Sequence, residues 1–550
     1  MNVFKLSGTA ALLVSCGIVL TPAMAYDFSG PGYLAYDGGL TFDTSDIFGP
    51  ALPLIGGFSR NNPSINLGFV GISQIDVRSL HGNLSAIPPD TNGAIGNSQF
   101  MEVTNGAYAV YDKTTGNRTK LWADGAFWNQ AGQSTVYTQN FANGDSRVLY
   151  DKPSNRWIVE SFGASLDRIQ IAVSDTSDAT GTWKSTSFQG FNDPNGYGIA
   201  DYPTLAIDSK AIYIGTNNFT PAAGGCPEGG GFCGTTLNVI SRNDIFGAGG
   251  PTATSLKQFT TPYSNLSPDN GYSIQGVNQV SGTDSGRIIA IGAKNYGMVS
   301  YQVNNPGAAN ATTTASVLLN TTPYDPNRGA AQPDGSRTID TSDDRISSAT
   351  WEVNGHIYAI HTITRPGEQH TSLEYYVIDA ATNTVIQTNI IGDGTHDFFQ
   401  GTLAVNESGQ VVISYNRSGF GVGEKVAIYG QQFNPIDSTG ALVAVGDPIL
   451  LYTSLIDNYH NGSVAGAAPV GRQRWGDYAQ VTVDPNDPQA FWIIGQYALG
   501  YLPNAATSFS RWGTFISSIQ VSAVPEPSSY AMLIVGLAVV GITLRRRQNP

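Results

Sequence analysis

Between residues 66 and 522, apolar positions alternate with polar ones in short runs, each closed by Gly, Asn, Asp or Pro. A period of two marks a strand with one buried face. Two of the runs share a spelling. Asp201-Tyr202-Pro203-Thr204-Leu205-Ala206-Ile207-Asp208 and Asp477-Tyr478-Ala479-Gln480-Val481-Thr482-Val483-Asp484 both read Asp-Tyr-x-x-Φ-x-Φ-Asp, with Φ apolar. Each is followed by a second apolar strand, at 211–216 and 490–495. The same pair recurs with weaker spelling at 93–96 and 100–104, 148–151 and 156–162, 274–280 and 287–292, 345–353 and 356–362, and 402–406 and 410–415.

A third strand follows each of the seven pairs, at 106–112, 168–174, 235–241, 297–303, 372–378, 425–431 and 512–521. Six have a fourth, at 118–122, 183–188, 254–259, 314–320, 384–391 and 441–451. The seventh has none, and a spare strand at 69–77 precedes the first. Seven four-stranded units, the last completed from the N-terminus, predict an all-β, seven-bladed β-propeller over residues 66–522. Such closure removes open sheet edges. A string of β-sandwich domains also has short strands and frequent turns, but does not repeat one strand pair seven times. Helical periodicity is absent outside the termini, and the Gly/Pro-rich residues 26–65 read as an extended leader.

The chain carries 42 Asp+Glu against 28 Lys+Arg, a formal charge of −14, with 41% hydrophobic and 10% aromatic residues. That is enough apolar material for a large core, which excludes wholesale disorder. The acid excess excludes nucleic acid as the main partner, because phosphate recognition needs clustered cations.

Both ends are addresses. Residues 1–25 read as a signal peptide for signal peptidase: Lys5, an apolar run at 10–20, and the small-x-small site Ala23-Met24-Ala25. The run is too short for a spanning helix of ~20 residues. Leu13-Val14-Ser15-Cys16-Gly17 offers the competing reading of a lipoprotein site at Cys16. At the other end, Pro525-Glu526-Pro527 is followed by an apolar run at 530–544 and then by Arg545-Arg546-Arg547. This order resembles the PEP-CTERM sorting signal of Gram-negative bacteria.

The resemblance implies an exosortase as partner and anchoring of residues 523–550 in the inner membrane by one transmembrane helix. It further implies cleavage near the Pro-Glu-Pro and delivery to the cell surface or extracellular matrix, often alongside exopolysaccharide. The three Arg hold that end in the cytoplasm; a permanent single-pass anchor would have the same topology. Without Lys5, the three Arg and Glu526, 24 basic residues face 41 acidic ones, a charge near −17.

Once Cys16 leaves with the signal, Cys226 and Cys233 remain in a Gly-rich loop, and export favours a local disulfide between them. The segment from Pro88-Pro89-Asp90-Thr91-Asn92-Gly93 to Asp112-Lys113, with Tyr150-Asp151, Arg156-Trp157 and Arg474-Trp475-Gly476-Asp477-Tyr478, resembles a group of secreted bacterial proteins thought to be propellers. That resemblance implies architecture and export, and carries no catalytic residues.

In a propeller, the residues before each first strand converge at one mouth. Those positions hold Asp90 and Asn92, Asp145 and Arg147, Asp201 and Tyr202, Asp343, Asp344 and Arg345, Asp397, and Arg474, Asp477 and Tyr478. Carboxylates interleaved with Arg and Tyr suit a sugar or a cation, and like charges crowded together raise a carboxyl pKa as a general acid requires. Any one of these Asp is also a ready turn cap. The leading expectation is a non-enzymatic glycan- or matrix-binding protein. The alternative is a secreted glycoside hydrolase or lyase, sialidase-like, with Arg147, Arg345 and Arg474 meeting a carboxylate.

One degenerate Asp-box, Thr176-x-Asp178-x-x-Gly181-x-Trp183, is consistent with that alternative and also with a plain turn. No metal-ligand spacing is present among the six His, and no cofactor is expected. The Asp-rich turns at 340–344 and 484–487 leave a minor place for Ca2+ without the full loop pattern. Trp122, Trp128 and Trp351 would stack on sugars if exposed; burial in strands is the plainer expectation.

Overall fold

The computed structural model describes residues 63–133, 143–163, 166–191, 198–220, 231–262, 270–279, 286–292, 297–461, 472–501 and 509–522, with a short strand at 33–36. That strand, β1 (Tyr33–Tyr36), pairs with β3 (Leu84–Ile87). Between them lie β2 (Ser64–Ser73) and the helix α1 (Gln74–Leu80).

Consecutive antiparallel meanders follow. The first is β4 (Asn92–Ile95), β5 (Gln99–Thr104), β6 (Ala107–Asp112) and β7 (Arg118–Ala123), ending in α2 (Asp124–Gln130). The second is β8 (Asn143–Asp151), β9 (Arg156–Gly163), β10 (Arg168–Ser174) and β11 (Trp183–Gln189). The third has a split first strand, β12 (Ile199–Asp201) and β13 (Ala206–Ile207). It continues with β14 (Ala211–Phe219), β15 (Phe232–Ser241), α3 (Arg242–Phe246) and β16 (Lys257–Pro262).

The fourth is β17 (Tyr272–Gln279), β18 (Arg287–Ile291), β19 (Met298–Asn304), β20 (Thr312–Thr313) and β21 (Val317–Leu318). The fifth is β22 (Thr350–Val353), β23 (His356–Thr364), β24 (Thr371–Asp379) and β25 (Thr384–Ile391). A parallel pairing of β17 with β22 merges these two into one nine-stranded sheet. Then come β26 (Asp397–Val405), β27 (Val411–Ser418), β28 (Ala427–Pro435) and β29 (Leu442–Thr453). The last sheet is β30 (Gln480–Val483), β31 (Ala490–Tyr501) and β32 (Ser510–Gln520), and its fourth strand is β2, paired from Ser64↔Gln520 to Ser73↔Gly513.

The sheets pack face to face, because their inner strands, such as β9, β14 and β23, have two buried faces to cover. Met101, Tyr108 and Val110 of the first meet Val148, Trp157 and Val159 of the second. Equivalent apolar clusters lie between every following pair. A further cluster joins the last sheet to the first, through Phe69, Ile72, Trp492, Trp512 and Ile516 against Phe100, Ala109 and Tyr111. The arrangement is therefore a closed ring. Where β14 and β17 cross, no side chain fits: a Cβ on Gly276 would lie 2.6 Å from Tyr213 Cβ.

The first strands share a backbone device. The ladder slips between Gly144 and Arg147, Tyr272 and Gln275, and Phe399 and Thr402. The extra residues, Asp145, Ser273 and Gln400, are left-handed, with φ of 54°, 49° and 53°. Asp90 and Tyr202 take the same conformation, with φ of 44° and 51°, just before β4 and just after β12. Each costs a non-glycine residue on the order of 1 kcal/mol, and each bulge bends its strand and re-aims the side chains around it. Two residues on from such positions, Asn92, Arg147 and Gln275 line a small central gap of ≈ 10 Å³, room for about one water, together with Leu205, Ala349 and Gln480.

Several expectations are corrected. The strand expected at 69–77 stops at Ser73, whose side chain and that of Asp76 form a capping box that starts α1 instead. α1, α2 and α3 are five to seven residues long, too short to show a period. The fourth strand of the fourth sheet is broken into β20 and β21, whose residues bury no face. The first strand of the fifth begins at Thr350, because residues 343–348 are drawn into the mouth. No described helix is long and apolar enough to cross a membrane. The signal at 1–25, the apolar run at 530–544 and Cys226 lie outside the described residues; Cys233 is buried in β15.

Candidate functional site

All first strands start at one end of the ring, and residues 319–349, with 454–461 and 472–479, lie over that mouth. They are pinned to each other and to the sheets. Ile339 bridges Gln473 in parallel. His460 Nε2 lies 2.8 Å from Asp334. Arg337 Nη1 donates to both oxygens of Asp397 at 3.1 and 3.2 Å, and Asp397 also accepts from the backbone N–H of Ala331 and Thr371. Asp397, expected in the ring of binding residues, is thus a clamp for the cover.

Beneath it, Asp477 is a hub. Its N–H donates to Asp90 Oδ1 at 2.7 Å, and its carboxylate lies 3.2 Å from Arg345 Nη1 and 3.4 Å from Arg474 Nη2. Arg345 also grips Asp343 with two hydrogen bonds, of 2.7 and 2.9 Å. Asp340 lies 2.5 Å from Arg472 and 3.6 Å from Arg474. The Arg147 guanidinium sits 3.5 Å above the Tyr478 ring and 5.2 Å from that of Tyr202, which also carries Arg345 at 4.4 Å. Asn105 links Asp145 to Asp90: its Nδ2 donates to Asp90 Oδ2 at 2.7 Å, and its Oδ1 accepts from Asp145 N at 3.0 Å. Among the described residues, Arg147 Nη2 and the Tyr478 hydroxyl are buried with no hydrogen-bond partner.

Electrostatics splits the carboxyls. Burial raises Asp90 to about 6, helped by the Asp477 charge and opposed by Arg474. Burial likewise raises Asp201 and Asp340 to about 6, against Arg345 in the first case and Arg474 in the second. Asp145 is pushed well up by burial and by Asp90 and Asp201. Burial pushes Asp477 up too, but the guanidiniums of Arg474 and Arg345 outweigh it and hold that carboxyl low. One mouth therefore contains carboxyls of raised and lowered pKa side by side, the arrangement acid–base chemistry uses.

Of the residues expected from sequence, Asp90, Asp145, Arg147, Asp201, Tyr202, Arg345, Arg474, Asp477 and Tyr478 join this network. Asn92 does not; it lies deeper, where its Oδ1 accepts from Val148 N and its Nδ2 reaches Gln480, clasping three first strands. Asp344 turns away to accept from the Tyr272 hydroxyl, while its backbone carbonyl meets His361 Nδ1 at 2.7 Å. Asp340, Arg472 and Asn105 were not expected. Asp340 stood in a run read as a calcium turn, but two Arg occupy it. In the other such turn, Asp484 is taken by Lys113 Nζ at 2.6 Å. Among the described residues no group of His, Cys, Asp or Glu is arranged to hold a metal ion. Asp178 spends its Oδ1 on Thr180 and Gln99 within a plain turn. Trp122 and Trp128 are core.

Residues 523–547 match the family model described as the PEP-CTERM protein-sorting motif. The C-terminus is a PEP-CTERM sorting signal. It makes this an exported protein of the exosortase route, anchored in the membrane before processing. A comparison with curated proteins finds no match. Among solved structures, the chain is similar to a protein of unknown function from Dyadobacter fermentans, with 11% identity, 79% of this chain and 94% of that one covered, and a TM-score of 0.34. An endo-arabinase from Bacteroides thetaiotaomicron matches at 12% identity, 70% and 94% coverage and 0.28. The WD40 domain of SCAP from fission yeast matches at 10%, 78% and 82%, and 0.30.

Because the sorting signal carries the body out of the cytoplasm, it meets a pH that no cytoplasm buffers. Asp90, Asp201, Asp340 and Glu102 have folded pKa values raised to about 6, 6, 6 and 7. A raised carboxyl binds more protons folded than unfolded, so its stabilisation is complete below about pH 4 and is lost as pH rises through the folded value. Asp477, held low, contributes a constant amount over this range. Stability is therefore expected to fall between about pH 4 and 7, each group adding a slope of up to about 1.4 kcal/mol per pH unit. Urea midpoints across that range check it; a flat or rising profile contradicts the assignment.

Proposed function

We propose that the chain is an exported seven-bladed β-propeller, its last blade completed by β2, that binds a glycan of the surface or matrix through the mouth holding Asp477, Arg345, Tyr202 and Tyr478. The observation that carries this reading is the mutual pairing of the network. Each guanidinium that would seize a substrate carboxylate is engaged or stacked, and six carboxylates (Asp90, Asp145, Asp201, Asp340, Asp343 and Asp477) face four guanidiniums (Arg147, Arg345, Arg472 and Arg474). Such a mouth suits neutral hydroxyl-rich ligands better than a sialic or uronic acid. Tyr and Arg planes with fixed polar groups are the usual materials of a sugar site.

The test is calorimetric titration of residues 26–522 with neutral and uronic-acid polysaccharides, including the host's own exopolysaccharide. Binding to a neutral polymer, lost in Tyr202→Ala, is expected; binding only to the acidic polymers would refute it. The second reading, a glycoside hydrolase, is favoured by one observation, the raised Asp90 and Asp201 beside the low Asp477. Release of reducing ends from any of the same polymers, abolished in Asp477→Asn, would establish it.

After processing, the propeller is proposed to reside at the cell surface or outside it. Cys226 and Cys233 are proposed to form a disulfide closing their Gly-rich loop. A mass gain of two hydrogens on reduction of the intact body is expected, and its absence would remove the bond.

A further inference from the structure

We infer that the far face of the ring, opposite the mouth, is the face turned to the inner membrane and to the exosortase, so that the mouth points outward even while the protein is still anchored. The register fixes where the chain leaves. β2 and β32 are antiparallel, with Ser64 opposite Gln520 and Ser73 opposite Gly513. The chain therefore enters the last sheet and leaves it at the same end. That end is the far one. Val521 N donates to Gln489 O, and Ser522 O accepts from Gln410 Nε2 at 2.7 Å, and both partners belong to turns joining a first strand to a second. The mouth network lies at the opposite ends of those first strands.

The sorting motif begins at residue 523, directly after this exit, and its apolar run begins at 530. The seven residues between reach about 25 Å at most. The ring is about as deep as its longest strands, β29 and β31 of 12 residues each, or about 35 Å. A tether shorter than the body is deep cannot bring the mouth to the bilayer without the far face leading. On the far face the connections at 96–98, 152–155, 354–355 and 406–410 are two to five residues long, while 242–256 carries α3. The Pro-Glu-Pro at residues 525–527 lies within about 10–18 Å of chain from Ser522, on the side where the exit meets the short first-to-second-strand connections at 406–410 and 484–489.

The full chain, signal removed and exosortase absent, is reconstituted in phosphatidylglycerol/phosphatidylethanolamine vesicles bearing a headgroup acceptor dye. A donor is attached through an azidophenylalanine at position 422 or 436, so that the native cysteines are left alone. Val422 is fully exposed in the β27–β28 loop at the mouth, and Ile436 is 59% exposed in the β28–β29 turn on the far face of the same sheet. Energy transfer is expected to be at least about twofold higher from 436 than from 422, given the depth of the ring. Equal transfer, or higher transfer from 422, overturns the orientation. Detergent micelles without the acceptor lipid give each donor's reference, and glycan binding plays no part in the readout.

Discussion

A chain lacking residues 26–73 is expected to be recovered as aggregate, or as a soluble species with its cooperative thermal transition lost. β2 is the fourth strand of the last sheet. Without it, the eleven residues of β32 present an open edge of unpaired N–H and C=O groups, a template for association with other chains. The cluster joining the last sheet to the first loses Phe69 and Ile72, each of which stabilises by roughly 1.5–3 kcal/mol when buried. It also loses the latch made by Glu102. That carboxylate, fully buried on β5, accepts from Ile72 N at 2.9 Å, from the Tyr111 hydroxyl at 2.6 Å and from the Thr514 hydroxyl at 2.5 Å, so one side chain ties β2, β6 and β32 together. Adding a peptide of residues 63–75 in trans during refolding is expected to restore solubility. Size-exclusion chromatography and calorimetry report both arms. A truncated chain that stays monomeric and melts at the full-length temperature would mean that β2 is ornamental.

The strand pattern was legible because its cause is local. Residues such as Leu205-Ala206-Ile207 and Val481-Thr482-Val483 must alternate to cover two faces, and alternation is written in the chain. The clasp was legible for a subtler reason, a unit one strand short and a strand to spare. What failed depended on contacts the chain does not spell. Asp344 and Asp343 are neighbours of one type, yet one meets Tyr272 and the other Arg345, because adjacent residues of extended backbone point to opposite sides. Asp397 looked like a ring member, but the cover folded down onto it, and nothing local marks where a connection of thirty residues will land. Asn105 and Arg472 were invisible for the same reason. A partial signal did exist: Asp90 and Asp145 occupy left-handed positions, which Asp tolerates better than most residues.

Asp477→Ala is expected to be the most damaging single change at the mouth, at about 3–5 kcal/mol at pH 7, the range for removing one partner of a buried charge pair. Two guanidiniums share this carboxylate. Arg345 keeps Asp343, so its loss is partial. Arg474 keeps the 3.6 Å approach of Asp340, which Arg472 also engages. Asp477→Asn retains shape and the backbone N–H to Asp90, and is expected to fall near the lower end.

The charge removed also acts on its neighbours, because Asp477 is one cause of the raised pKa at Asp90, Asp201, Asp340 and Asp145. Without it those carboxyls ionise more easily and can take over Arg345 and Arg474. Asp477→Asn should therefore flatten the fall in stability between about pH 4 and 7 as well as lowering stability overall. A merely local packing defect would shift the whole profile down without changing its slope. Urea denaturation of wild type, Asp477→Asn and Asp477→Asn/Arg345→Met separates these cases. The double variant, with fewer uncompensated cations, is expected to be more stable than the sum of its parts. Additive costs together with an unchanged slope would leave Asp477 as one more buried side chain, and the mouth without its organising charge.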